Sequence, residues 1–282
     1  MADLGPTEEE PHTVHKLAYF TALILTFLTA CSQAPKNPMP TLTMQQTQWL
    51  GERIFANECN LKIPCLTSWN AGEDFPSLGI GHFIWYRADQ QDSFVESFPA
   101  LLSFYRSEGV PLPRWLEELP GQHSPWQNRA EFLADQQGER LQSLRSFLND
   151  TRDTQVKFIM RRMQSSLPSL LANAEKPELI QSLFYEIAAT DPPLGMYALI
   201  DYVNFKGEGT ALSERYQGQG WGLLQVLETL SNTRDQSPLM TQFAAAARAV
   251  LARRVANSPS ERAEQRWLEG WNNRTHTYES LP

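Results

Sequence analysis

Glu58, Glu73, Asp74, Ser77 and His82 bring carboxyl groups, a hydroxyl and an imidazole into one short segment ending in Ser77-Leu78-Gly79-Ile80-Gly81-His82. Cleavage of a glycosidic bond needs one carboxyl group to protonate the leaving oxygen and a second to activate water or stabilise an oxocarbenium-like transition state. These residue types in a compact strand-and-turn segment fit that chemistry. Upstream, Leu50, Ile54 and Glu58 fall at i, i+4 and i+8, so Glu58 ends a core-facing helical stripe. An apolar setting and the negative end of the helix dipole would both favour the neutral carboxyl that a general acid needs. The plainer alternative is a solvated helix-end Glu58 paired with Arg53. Gly79 and Gly81 permit close backbone approach, to a ligand or to the Glu58 helix.

A second constellation spans residues 201–209 and 214–225. Tyr216, Gln219, Trp221 and Gln225, spaced by Gly218, Gly220 and Gly222, make a poor core and a good lip for carbohydrate. Sugars offer hydroxyls to glutamine and apolar ring faces to tyrosine and tryptophan. The alternative is a glycine-rich turn that caps the following helix. Glu208 and Glu214 compete with Glu58 for the role of acid; the context of Glu58 is the more specific.

With these residues in view, the Glu58 segment resembles the active-site segment of phage-type lysozymes, where a helix-terminal Glu precedes a hairpin carrying an acid, a hydroxyl and Gly-Ile-Gly-His. The local match covers about thirty residues. The interval from Glu58 to Ser77 is longer than that pattern has, and Glu73 and Asp74 lie closer to Ser77, so the second carboxylate is left open between them. Gly222-Leu223-Leu224-Gln225 is similar to the Gly-Leu-Met-Gln signature of lytic transglycosylases, a related branch. What the resemblance implies is a mainly α fold with a small β-hairpin, a lysozyme-like two-lobed domain, and cleavage of peptidoglycan glycan strands. Glu58 would protonate the leaving oxygen, and Asp74 or Glu73 with Ser77 would position water or stabilise the transition state. His82, which reads first as an orienting residue, joins Tyr216, Gln219, Trp221 and Gln225 as the expected substrate-binding set.

The elements that must position these groups are mostly helical. Residues 77–86 are the best strand or hairpin, and helices are expected over 93–107, 131–148, 154–174 (with a break at Pro168), 177–189, 195–204, 222–231, 238–257 and 260–271. Pro238 and Pro259 sit at helix starts behind Ser237 and Ser258. No internal repeat stands out.

The N-terminus reads as a targeting segment. Lys16 precedes an apolar run over 17–30 that is short for a membrane span and ends in Leu28-Thr29-Ala30-Cys31, which resembles a lipobox. The expectation is a signal peptide over 1–30, lipidation of Cys31, a proline-rich tether over 31–40, and a catalytic domain over 41–282 in an outer-membrane lipoprotein facing the periplasm. The alternative is an uncleaved anchor helix. The first thirty residues hold four acids and one lysine, so about −5 of the chain's −8 net charge remains beyond them. With basic pairs only at Arg161-Arg162 and Arg253-Arg254, the chain carries no basic stripe for nucleic acid. Cys59 and Cys65 are spaced for a disulfide in an oxidising compartment. No His-Glu-x-x-His, paired-Cys, phosphate-loop or nucleophile-elbow pattern is present, so no metal or organic cofactor is expected.

Overall fold

The run Leu-Gly-Met-Tyr-Ala-Leu-Ile-Asp-Tyr has no polar stripe, and a helix apolar on all sides belongs inside. In the computed structural model, which describes residues 39–281 except 91, 93 and 94, this run forms α8 (Leu194–Lys206). Every residue from Leu194 to Tyr202 is buried. Around α8 pack α1 (Met44–Cys59), α6 (Arg152–Asn173), α7 (Pro177–Ala189) and α9 (Leu223–Asn232). Next to α9 lies α10 (Leu239–Asn257), followed by α11 (Leu268–His276). The signal segment, Cys31 and the tether up to residue 38 lie outside the described residues. Among those residues no helix is long and apolar enough to cross a membrane.

Helix α1 starts at a capping box in which Thr43 accepts from the Gln46 N–H and Gln46 accepts from the Thr43 N–H. Leu50 and Ile54 are buried as their spacing requires, and Asn60 closes the helix in the left-handed region. Beyond it a small antiparallel sheet runs β1 (Thr67–Ser68), β2 (Ser77–Leu78), β3 (Phe83–Ile84), with Thr67 opposite Leu78 and Leu78 opposite Phe83. A two-stranded hairpin, β4 (Arg215–Tyr216) and β5 (Gln219–Gly220), turns through Gln217 and Gly218, both with positive φ. The chain is thus mainly α with small β elements.

Several element boundaries differ from the sequence reading. Of the expected helix over 93–107, residues 93 and 94 lie outside the described residues, 95–97 are irregular and α2 spans Phe98–Ser107, while residues 77–86 give two short strands around a turn. The expected helix over 131–148 divides into α4 (Arg129–Ala134) and α5 (Glu139–Asp150). Residues 135–138 turn between them, closed by the Gly138 N–H donating to the Asp135 carbonyl at 2.7 Å. Helix α6 runs unbroken past Pro168. Residues 260–267 form two 3-10 turns before α11, because Ala263 takes φ 47° between them. A four-residue helix, α3 (Arg114–Glu117), lies between α2 and α4.

Candidate active site

Glu58 sits one residue before the end of α1, and its surroundings are not the apolar wall that its stripe position suggests. Its Oε1 accepts from Arg274 Nη2 at 2.6 Å, and its Oε2 lies 3.5 Å from His82 Nδ1. Arg274, on α11, is shared. It also donates from Nε and Nη2 to Asp201 of α8 at 2.9 and 2.7 Å. Asp201 further accepts from Asn57 Nδ2 and the Tyr278 hydroxyl, so this buried carboxylate is fully satisfied. Burial alone would lower the Arg274 guanidinium; hydrogen bonds and attraction from Asp201, with Glu58 adding to it, overturn that and raise it. The same environment, led by burial and then the Asp201 charge, raises the Tyr278 hydroxyl well above its ordinary value.

The turn over 79–82 aims the imidazole. Gly79 has φ +67°, and a Cβ there would strike the Gln155 side chain, which must be close because its Oε1 accepts from the Ile80 N–H at 2.9 Å. Gln155 is fully buried on α6 and donates in turn to the Leu148 carbonyl at 2.6 Å. His82 itself holds φ 46°, an uncommon state for a residue with a side chain. Its Nε2 lies 3.7 Å from both sulfurs of the Cys59–Cys65 disulfide. Cys59, Cys65 and His82 group within 4.8 Å like metal ligands, but sulfurs bonded to each other are not the thiolates that a metal takes.

A second carboxyl group is presented by the Gly207-Glu208-Gly209 loop after α8. Both glycines have positive φ, +84° and +82°. The loop is clamped from below: the Leu223 and Leu224 N–H groups at the start of α9 donate to the carbonyls of Gly207 and Glu208, both at 3.0 Å. Gln225 accepts from the Gly222 N–H and donates to the Gly209 carbonyl. Glu214 accepts from the N–H groups of Gly209 and Ala211 at 2.7 and 3.3 Å, so it serves as a loop brace. Burial, then repulsion from Glu214, raises the Glu208 carboxyl above its ordinary value, against the opposing pull of a Ser169 hydrogen bond and the Arg162 charge.

Glu58, His82, Ser97, Arg162, Asn204, Glu208, Thr210 and Glu214 line one cleft of about 500 Å³. Of the expected site residues, Glu58 and His82 are therefore together, while Asp74, Glu73 and Ser77 do not line this cleft. Asp74 is an exposed carboxylate gripped by both terminal nitrogens of Arg87, whose hydrogen bonds hold it below the usual range. Glu73 accepts from Asn70, and Ser77 is buried in the middle strand of the sheet. His82 apart, the expected binding residues do not line it either. The Tyr216 hydroxyl donates to Glu264, Trp221 packs on Tyr216 at 4.5 Å, and Gln219 faces Asn257 on the surface. Gln225 is spent on the Glu208 loop. The glycine-rich stretch therefore caps α9 and supports a carboxyl group. Arg274 carried no signal in the sequence, lying 216 positions from Glu58, and Asp201 entered the 201–209 stretch without its partners.

No family model matches the chain, and no curated protein and no solved structure matches it.

Proposed function

We propose that the chain is a lysozyme-like glycosidase, cutting the glycan strands of peptidoglycan in a periplasmic setting as a lipid-anchored protein. The observation that carries this is the pairing of two carboxyl groups, Glu58 and Glu208, on one open cleft beside His82. The two come from elements far apart in sequence. Glycosidic cleavage needs that arrangement, with a bond held between a proton donor and a second carboxylate.

The roles divide by environment. Glu208, raised by burial and by Glu214, is suited to give its proton to the leaving oxygen. Glu58 already accepts from a guanidinium, so its oxygens are oriented as acceptors and suit water activation or stabilisation of the sugar cation. This shifts the proton-donating role from the residue that the lysozyme resemblance assigns. Arg274 and His82 position Glu58, and Asn204 and Thr210 supply polar edges for sugar hydroxyls.

The test is digestion of purified peptidoglycan by the protein beside Glu58→Gln, Glu208→Gln and Asp74→Asn, with released ends identified by mass spectrometry. The expected result is reducing ends, lost by at least about a hundredfold in the first two variants and retained in the third. Released 1,6-anhydro ends would replace hydrolysis by transglycosylation. Full activity of Glu208→Gln would remove the pair, and no release by the folded wild type would leave a glycan-binding lipoprotein.

A further inference from the structure

The cleft does not end at Arg162. Val95, Ser97 and Arg162 also line a neighbouring groove of about 640 Å³ between α2 and α6, together with Ser103, Ser107 and Arg161. Among the described residues neither guanidinium forms a salt bridge. Arg161 lies 5.8 Å from the Phe104 ring centroid and Arg162 5.9 Å from that of Phe158. The groove's carboxylate, Glu96, is already engaged by the Tyr86 N–H at 2.7 Å. Its charge stays, so the groove holds two cations, one anion, apolar ring faces and serines that already donate, Ser103 to the Pro99 carbonyl at 3.1 Å and Ser107 to the Phe104 carbonyl at 2.8 Å.

Arg162 is exposed on the rim that cleft and groove share, and partial loss of water there lowers the guanidinium despite attraction from Glu208. Two exposed cations with no ion-pair partner still favour an anion placed between them, by a modest and salt-screened amount. The need is greatest when Glu208 carries a proton and no longer offsets it. An uncharged sugar does not meet that need. A peptidoglycan strand does, because its lactyl groups carry short peptides that end in carboxylates and sit beside the glycan backbone.

We propose that the α2–α6 groove binds the carboxylate-bearing peptide stem of the glycan, with Arg161 and Arg162 as the anion-binding pair, the Ser103 and Ser107 oxygens as acceptors for its N–H groups and the Ser97 hydroxyl as a donor. The proposal rests on the glycosidase reading and names the substrate class it selects. It carries a consequence for catalysis: a carboxylate seated on Arg162 offsets the charge that acts against protonation of Glu208. Strands with peptide stems are then cut with their acid group better protonated than bare glycans.

The probe is muramyl dipeptide, which has one sugar and no glycosidic bond to cleave, titrated calorimetrically into the full chain beside the same compound with its carboxylate amidated. Saturable binding of the acid form is expected. It weakens at least about tenfold on amidation, in Arg161→Gln, and in Ser103→Glu, the cost of one charge-assisted hydrogen bond. Both substitutions are at exposed helix positions, and circular dichroism checks their fold. In turnover, Arg161→Gln raises KM for peptidoglycan and leaves cleavage of an uncharged chitooligosaccharide unchanged. Equal binding of the amidated form, or wild-type binding by both variants, overturns the inference. Peptidoglycan cleavage without dipeptide binding sinks this inference alone. Dipeptide binding without cleavage of any glycan upholds the groove and sinks the glycosidase reading.

Discussion

At the residue scale, the chemistry-bearing side chains were legible by type and not by partner. Glu58 and His82 announced themselves through local spacing, and Glu208 only as a competitor, beside Glu214, ahead of the Gly-Leu-Leu-Gln stretch. Arg274 and Asp201 could not, because the bonds that define them cross long sequence distances. Lys206 is a further case. Its Nζ lies 3.4 Å from the Trp271 ring centroid and 3.9 Å from that of Phe205. Burial, followed by repulsion from Arg254 and with Arg274 adding, pushes the ammonium down to about 6, against the attraction of Glu264. Between about 6 and 10.5 the unfolded chain holds a proton that the folded chain has released, so stability rises with pH across that window. Lys206→Met is expected to be more stable than wild type near pH 6 and to lose that rise, as urea midpoints from pH 6 to 9 would record. The two ring faces oppose this by favouring the cation, by about 0.5–2 kcal/mol. A wild-type curve flat in pH, with the variant less stable, would mean that the rings win.

The pH dependence of activity belongs to the same scale. If Glu208 gives the proton, activity falls as pH rises through its folded pKa, which lies above the ordinary 4.5. Glu214→Gln removes one cause of that elevation. The alkaline limb of kcat/KM is therefore expected to move to lower pH in this variant, with the binding of muramyl dipeptide little changed. A limb that stays in place in Glu214→Gln would assign it to another group.

At the element scale, helix type and approximate span were legible, since the period of apolar residues needs no tertiary partner. Helix α7 begins and ends where its pattern does. What escaped were short breaks, such as the turn over 135–138, and the length of the strands. The hairpin over 77–86 was legible and holds β2 and β3, but β1 and the two-residue lengths were not, and the turn between β2 and β3 leans on a buried glutamine from another element. Gln155 on α6 fixes the turn that carries His82. Gln155→Leu strands the Ile80 N–H in a buried site, which costs about 1–3 kcal/mol or more. Chemical denaturation would measure the loss. Faster hydrogen exchange at Ile80 than at residues of α7 would place it in the turn, whereas unchanged Ile80 protection would show that the turn holds without Gln155.

At the scale of the whole molecule, the site depends on a junction of three helices rather than on any local motif. Arg274 from α11 reaches Glu58 at the end of α1 and Asp201 in the middle of α8, and its planar fork serves both carboxylates at once. This is why Glu58 and its positioning were only half legible: the sequence places Glu58 at a helix end, and only the assembled fold brings α11 across to it. Arg274→Met leaves Asp201 buried with Asn57 and Tyr278 but no counter-charge, and is expected to cost about 3–5 kcal/mol. Asp201→Leu is expected to cost a similar amount, because it leaves Arg274 with Glu58 alone. The double variant Arg274→Met/Asp201→Leu removes both buried charges and should recover much of that loss in a double-mutant cycle. Activity should not recover with it, because Glu58 then has no guanidinium to orient it. Stability restored together with turnover would mean that Arg274 serves only the fold, and that His82 alone positions Glu58.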